Sequence, residues 1–159
     1  MLKPLTLWCL IVVSSALASL NPVRTAEFGI EDEAKAMLVR AVDELKADKL
    51  AAIAEFNRND PRFRDRDLFV FCFNRSDGRI TAHEAFVGQD IRTLHDAAGN
   101  AFGEDMYRSA KEGQISEIPF QAPLPGSTEK APKRAYVIAI GDQVCGVSSY
   151  RFDTAARTR

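Results

Sequence analysis

Residues 67–74 (DLFVFCFN) constrain this chain more than any other segment. Six consecutive apolar residues, Leu68 to Phe73, lie between Asp67 and Asn74. Their aromatic content favours an extended strand. Side chains alternate along a strand, so Phe69, Phe71 and Phe73 share one face and Leu68, Val70 and Cys72 share the other. Both faces are apolar and both need cover. The run therefore predicts a strand placed centrally in a sheet, with material packed above and below it.

The cover on one side is legible upstream. Between residues 31 and 57, Ala34, Met37, Leu38, Ala41, Val42 and Leu45 recur at three- and four-residue spacing, which is one apolar stripe of a helix. Glu31, Asp32 and Glu33 open it, where negative charge suits the helix dipole. The stripe falters at Asp48-Lys49 and resumes with Leu50, Ile53 and Phe56, so a kink or a second short helix is expected. Residues 57–66, around Pro61, form a polar loop. After the apolar run, Ser76-Asp77-Gly78 is a turn and residues 79–83 return as a second strand. Gly88, Gly99 and Gly103 punctuate a loop-rich stretch, with a turn over residues 96–99. A short helix is predicted over 104–111, ahead of Gly113. Strands follow over 114–121, 133–140 and 143–150. Gly141-Asp142 joins the last two, and the Pro-rich residues 122–132 form an exposed hairpin loop. The order predicts an α+β domain with a long N-terminal helix packed on an antiparallel sheet of about five strands. Strand hairpins flanking a loop-and-helix insert give it a PAS-like shape.

The first residues read as an export signal. Lys3 supplies a positive start, residues 5–13 (LTLWCLIVV) are apolar, and Ala16 and Ala18 end the segment with the small residues of a cleavage site. Cleavage is placed after Ala18, with Ala26 as the alternative. The apolar run is shorter than the roughly 20 residues that span a bilayer. Pro4 and the small residues argue against an uncleaved anchor, so no membrane insertion is expected after processing. Cys9 lies inside the run, not at its end, which argues against a lipid-attachment site. The division is then a signal peptide at 1–18, a linker at 19–30, one domain at 31–150 and a polar tail at 151–159. Two cysteines survive processing, Cys72 and Cys145. They are either a disulfide or two buried thiols, and export favours the disulfide. With 46% hydrophobic and 27% charged residues the chain is globular, not disordered. Its net charge of −1 supplies no basic excess for nucleic acid. Arg62, Arg64 and Arg66 alternate with Asp65 and Asp67 and are locally balanced.

Several short motifs fall in one order: Phe63-Arg64-Asp65-Arg66-Asp67-Leu68-Phe69-Val70-Phe71, Asp77-Gly78, Ala82-His83, Val87-Gly88-Gln89-Asp90 and Asp96-Ala97-Ala98-Gly99. Pro132-Lys133 with Tyr136-Val137, then Gly141-Asp142 and Cys145-Gly146-Val147, continue it. Together they resemble the single Cache domain, an extracytoplasmic sensor domain of bacterial chemoreceptors and histidine kinases. The resemblance runs from about Ala34 to Tyr150. It implies a Cache (PAS-like) fold, a periplasmic or secreted location and a small organic ligand, an organic acid for example. It also implies a membrane-bound receptor or histidine kinase as partner. The chain departs from the family pattern at Ile118 and Phe120, where a Tyr and a Trp are usual, and at Leu68-Phe69 in place of Leu-Tyr. No signalling part follows the last hairpin, so the resemblance is to the free-standing, secreted form.

The candidate ligand-binding residues are Lys133, His83, Phe71, Phe120, Tyr136 and Arg66. Lys133 precedes an apolar strand and is either a pocket cation for a carboxylate or a surface lysine at a strand edge. His83 is a hydrogen-bond donor to a ligand or satisfies a loop carbonyl. His95, beside the Asp96 turn, reads as structural. Arg66 with Asp67 positions the loop or reaches the ligand. The three strand phenylalanines are core or pocket wall, and Tyr136 suits a pocket rim. Nucleophile elbows, zinc-ligand spacing, phosphate-binding glycine patterns and haem attachment motifs are absent from the sequence, so neither a catalytic set, a cofactor nor a metal is expected. The alternative to a sensing module is a ligand-free domain that docks on a membrane receptor or kinase. An exported enzyme using His83 or Asp96 is the third reading.

Overall fold

The apolar stripe of residues 34–45 becomes helix α1 (Glu31–Ala47), which buries Ala34, Met37, Leu38, Ala41, Val42 and Leu45 against a sheet. The computed structural model describes residues 28–152. The expected signal peptide, most of the linker and the tail beyond 152 lie outside the described residues. The helix begins where Glu33 accepts a hydrogen bond from the Ile30 N–H (3.0 Å). It ends at Asp48, whose extended backbone breaks the helical path. The Asp48 N–H donates to the Glu44 carbonyl, and its carboxylate accepts from the Ala51 N–H at 3.0 Å. Asp48 therefore closes α1 and caps α2 (Lys49–Asn57), an N-cap contribution of about 1 kcal/mol. The predicted kink is a one-residue joint between two helices.

Beyond α2 the chain forms a small hairpin, β1 (Arg64–Asp65) with β2 (Leu68–Phe69). The main sheet holds β3 (Phe71–Asn74), β4 (Ile80–Ala82), β5 (Ser116–Pro123), β6 (Lys130–Ile140) and β7 (Gln143–Tyr150). Its order is β4-β3-β7-β6-β5, antiparallel throughout. A 3₁₀ turn (Ile91–Thr93) and helix α3 (Phe102–Ser109) lie between β4 and β5 in sequence.

Three expectations are corrected. The run 67–74 is not one strand: at Val70 it changes partners. The Val70 N–H donates to the Phe63 carbonyl, extending the β1–β2 hairpin, and pairing with β7 begins at Phe71. The face alternation survives this break, with Leu68, Val70 and Cys72 towards α1 and Phe69, Phe71 and Phe73 on the opposite side. The central strand is β7, buried at every position, while β3 lies one strand in from the edge. The Pro-rich stretch is strand at both ends, because β5 runs to Pro123 and β6 starts at Lys130. Only residues 124–129 turn, closed by the Leu124 N–H on the Glu129 carbonyl (2.9 Å). The prolines fit because Pro119 and Pro123 are on an edge strand and Pro132 precedes the first β6–β7 pair, Lys133 with Tyr150.

The sheet separates two cores. On the α1 side, the helix stripe meets Leu68, Val70, Tyr136, Ile138 and Val147. On the other side, Phe73, Ile80, Ile91, Met106, Ile118, Val137 and Val144 pack under α3 and the 3₁₀ turn. Gly103 lets α3 settle directly on the Ile91 carbonyl, at a separation where any Cβ would collide. Cys72 and Cys145 are cross-strand partners in β3 and β7, with Cα atoms 4.1 Å apart, and they form a disulfide under α1. The bond closes a loop of 73 residues. Constraining a loop of that length in the unfolded chain is worth about 4 kcal/mol at most. Replacing both cysteines with alanine is expected to lower stability by about 2–4 kcal/mol. The measurement is the denaturant midpoint of the double variant against the oxidised protein; an unchanged midpoint would show that the bridge contributes nothing.

Candidate functional site

Strand alternation decides what faces the second core. Along β6, Lys133 shares a face with Ala135, Val137 and Ala139, away from α1. Its register partners are Phe120 on β5 and Tyr150 on β7. The Lys133 side chain is only 9% exposed. Its ammonium lies 4.4 Å from the centre of the Tyr150 ring and 3.9 Å from Asp67 Oδ2. That separation is an ion pair without a hydrogen bond, and Asp67 Oδ2 is buried with no hydrogen-bond partner among the described residues. Asp67 Oδ1 accepts from the Gly29 N–H at 2.6 Å. Burial pushes the Lys133 ammonium below its ordinary pKa, against the opposing pull of Asp67. Burial likewise raises Asp67, against the Gly29 hydrogen bond and the Lys133 charge. A buried ammonium whose N–H donors make no hydrogen bond among the described residues has donors left to offer an anion.

Lys133 stands at the wall of a cavity of about 350 Å³ between the sheet and the segment 83–106. Five phenylalanines line it: Phe69, Phe71, Phe86, Phe102 and Phe120. Phe102 and Phe120 stack with ring centres 4.8 Å apart and planes 10° from parallel. Room for the Phe71 ring comes from Gly146, its partner on β7, where a Cβ would stand 2.5 Å from Phe71 Cζ.

His83 enters the same cavity, its ring packed against Phe69 (5.1 Å) and Phe86 (4.7 Å). Its Nδ1 accepts a hydrogen bond from the Ala85 N–H at 3.0 Å. A backbone N–H can only donate, so the neutral ring carries its proton on Nε2 and offers a donor. Burial lowers the His83 pKa; Glu84 opposes the shift and Lys133 adds to it. Protonation would also cost the Ala85 hydrogen bond.

The remaining charged groups of the lining are occupied. Glu84 is bonded to Arg64 (2.7 Å) at the rim. Asp96 Oδ1 accepts from the Ala98 and Asn100 N–H groups, both at 2.8 Å, and Oδ2 from Asn100 Nδ2 and the Gln121 N–H. Burial alone would raise its pKa, but these four hydrogen bonds prevail and hold it at about 2. Asp96 therefore fastens the turn 96–100 to β5 and has no free lone pair for catalysis. His95 is exposed at the rim, with Nδ1 3.0 Å from the Thr93 carbonyl. Among the described residues no cluster of three or more metal-ligating side chains occurs, and no helix is long and apolar enough to cross a membrane.

Four of the six candidate residues, Lys133, His83, Phe71 and Phe120, converge on the cavity. Two do not. Tyr136 has the opposite parity on β6, so it is fully buried beneath α1, with the Lys35 ammonium 4.9 Å from its ring. Arg66 occupies the β1–β2 turn with φ of 55° and binds the Phe28 carbonyl, Asp65 and Glu33. It ties the segment preceding α1 to that turn. Ile118 is buried core under α3, not cavity lining. Sequence reasoning missed Phe86, Phe102 and Ser148 as cavity residues. The two phenylalanines sit in an aperiodic, glycine-punctuated stretch, where a large apolar residue in a loop was the one available signal.

The first test is a titration of His83 by NMR. Its folded pKa is expected below 6.5. A depressed histidine pKa contributes stability that is complete above pH ~6.5 and is lost as pH falls from there through the folded value. A folded pKa above 6.5 would contradict the burial of the ring. The second is Asp96→Asn, which leaves backbone N–H groups facing an amide and is expected to cost about 1–3 kcal/mol in denaturant unfolding.

No family model and no curated protein sequence matches the chain. Solved structures do. A methyl-accepting chemotaxis protein from Vibrio parahaemolyticus superposes with a TM-score of 0.58 at 22% identity, over 75% of this chain and 86% of that one. The periplasmic sensor domain of a chemotaxis protein gives 0.56 at 18% identity, over 76% and 90%. A Cache chemosensory domain, whose structure concerns the basis for carboxylic acid recognition, gives 0.54 at 19% identity, over 76% and 88%. The described residues therefore have the α+β fold of these sensor domains, that of a Cache domain.

Proposed function

We propose that the protein is an exported sensing module that binds a small organic acid in the cavity between its sheet and the segment 83–106. The observation that carries this reading is the buried Lys133 ammonium at a cavity of about 350 Å³ that the neutral His83 ring also lines. A carboxylate is the anion that such a cation suits, through a charge-assisted hydrogen bond from the lysine. The volume lies at the low end of the roughly 300–1,000 Å³ of ligand sites, which supports a small metabolite. Carboxylic acid recognition by a Cache chemosensory domain of the same fold supports the same class of ligand.

Export is part of the proposal. The disulfide between Cys72 and Cys145 is of the kind that persists in oxidising compartments. The structural relatives include a periplasmic sensor domain. On this reading the signal peptide is removed and the domain works in the periplasm or outside the cell, with a membrane receptor or histidine kinase as its output partner. On this reading the domain senses and does not catalyse, which the saturation of Asp96, an acid considered for the enzyme reading, supports.

The experiment is native mass spectrometry of the purified protein, followed by calorimetric titration with a panel of carboxylates. A bound or added acid is expected to associate with the wild type. Lys133→Met, which keeps the length of the side chain and removes its charge, is expected to weaken that binding by roughly 10-fold or more. A folded wild-type protein that takes up no carboxylate would sink the proposal and leave the ligand-free docking module as the reading to test.

A further inference from the structure

The cavity says more about its ligand than that it is an acid. Its charged lining residues are Lys133, Glu84 and Asp96. Glu84 is already paired with Arg64 at 2.7 Å, and the Asp96 oxygens are saturated. Lys133 is thus the one cation of the lining, and no lining anion is left without a partner among the described residues. A ligand with a single negative charge is matched. Asp67, whose unbonded Oδ2 lies 3.9 Å from the Lys133 ammonium, is not part of this lining. Within the lining the ammonium of an α-amino acid would meet no unpaired carboxylate, and a second carboxylate no second lysine or arginine. Leaving either charge unpaired in a partly enclosed site is costly.

The remainder of the wall sets the body of the ligand. Rings of Phe69, Phe71, Phe86, Phe102 and Phe120 surround the space, and the parallel Phe102–Phe120 pair offers it a broad apolar wall. Ligand hydroxyls or amides placed among these rings would lose their water without gaining partners. An apolar ring would instead exchange water for aromatic contacts. The Phe86 ring, 37% exposed and held against His83, stands ready to be covered. The size follows from the volume. At about 350 Å³ it lies at the low end of the roughly 300–1,000 Å³ of ligand sites, which suits a small molecule with a single ring.

We infer that the cavity selects an aryl-alkanoate monocarboxylate, with its carboxylate on Lys133 and its ring among the phenylalanines, over short, dicarboxylic and zwitterionic acids. This rests on the carboxylate-binding role proposed for Lys133. Isothermal titration of the purified protein with phenylpropionate, phenylpropanol, phenylalanine, acetate and succinate tests it. Phenylpropionate is expected to bind roughly 10-fold or more tightly than each of the others. Phe120→Ala is expected to weaken phenylpropionate about 10-fold, with Phe86→Ala, at an exposed ring, as the second variant should the first unfold. Acetate or succinate binding as tightly as phenylpropionate, or phenylpropionate affinity unmoved by both ring deletions, would overturn the inference while leaving carboxylate binding intact. Heat from none of the acids, on a folded protein, would overturn both.

Discussion

The pairing of β3 with β7 is the constraint on which the rest of the structure depends. It joins Phe71–Asn74 to residues 143–146, and the Cys72–Cys145 disulfide lies within it. Everything between those segments must be accommodated around one small sheet. Helix α1 occupies one face, so the 3₁₀ turn, α3 and the loops of 83–101 are driven to the other. There they cannot pack as closely as a regular helix would, because loops supply few periodic apolar side chains. The cavity is the space this cover leaves over the aromatic face of β2 and β3. The cavity thus follows from covering one sheet in two ways, with a continuous helix on one side and a discontinuous layer on the other.

Burial of Lys133 is the main electrostatic cost of that arrangement. A buried ammonium is disfavoured unless an anion lies near, and Asp67 comes only to 3.9 Å. Asp67 is engaged on its other oxygen by Gly29, which holds it at the β1–β2 turn. The pair is therefore incompletely satisfied, and the ammonium keeps donors for a second anion. The same turn carries Arg66, bound to Glu33 in the first turn of α1. The cavity cation and the start of the N-terminal helix are thereby connected through one two-residue turn, Arg66-Asp67.

Much of this was legible in the residues. The stripe from Ala34 to Leu45 specified α1 and its buried face, since a period near 3.6 has few other solutions. The alternation of Phe69, Phe71 and Phe73 against Leu68, Val70 and Cys72 assigned faces correctly even though the strand breaks at Val70. Parity is a local property and survives a change of partner. Of the candidate site, Lys133, His83, Phe71 and Phe120 were found through the resemblance or through strand positions. Tyr136 was misplaced although its parity was legible: three residues along β6 from Lys133, it must face the other way. Arg66 was read both as holding the loop and as reaching the ligand, because nothing local distinguishes the two; it holds the turn.

The sequence by itself determined the periodicities, hence the elements, their buried faces and the α+β class, because those depend on neighbours in the chain. Tertiary structure alone decided that β7 is the central strand, that Cys72 lies opposite Cys145, and that Phe86 and Phe102 join Phe71 and Phe120 around one space. It also decided that Asp96 is spent on four hydrogen bonds while Lys133 retains its donors. These are pairings of residues distant in the chain. Their energy comes from burial and hydrogen bonding across the sheet, which no run of adjacent residues records.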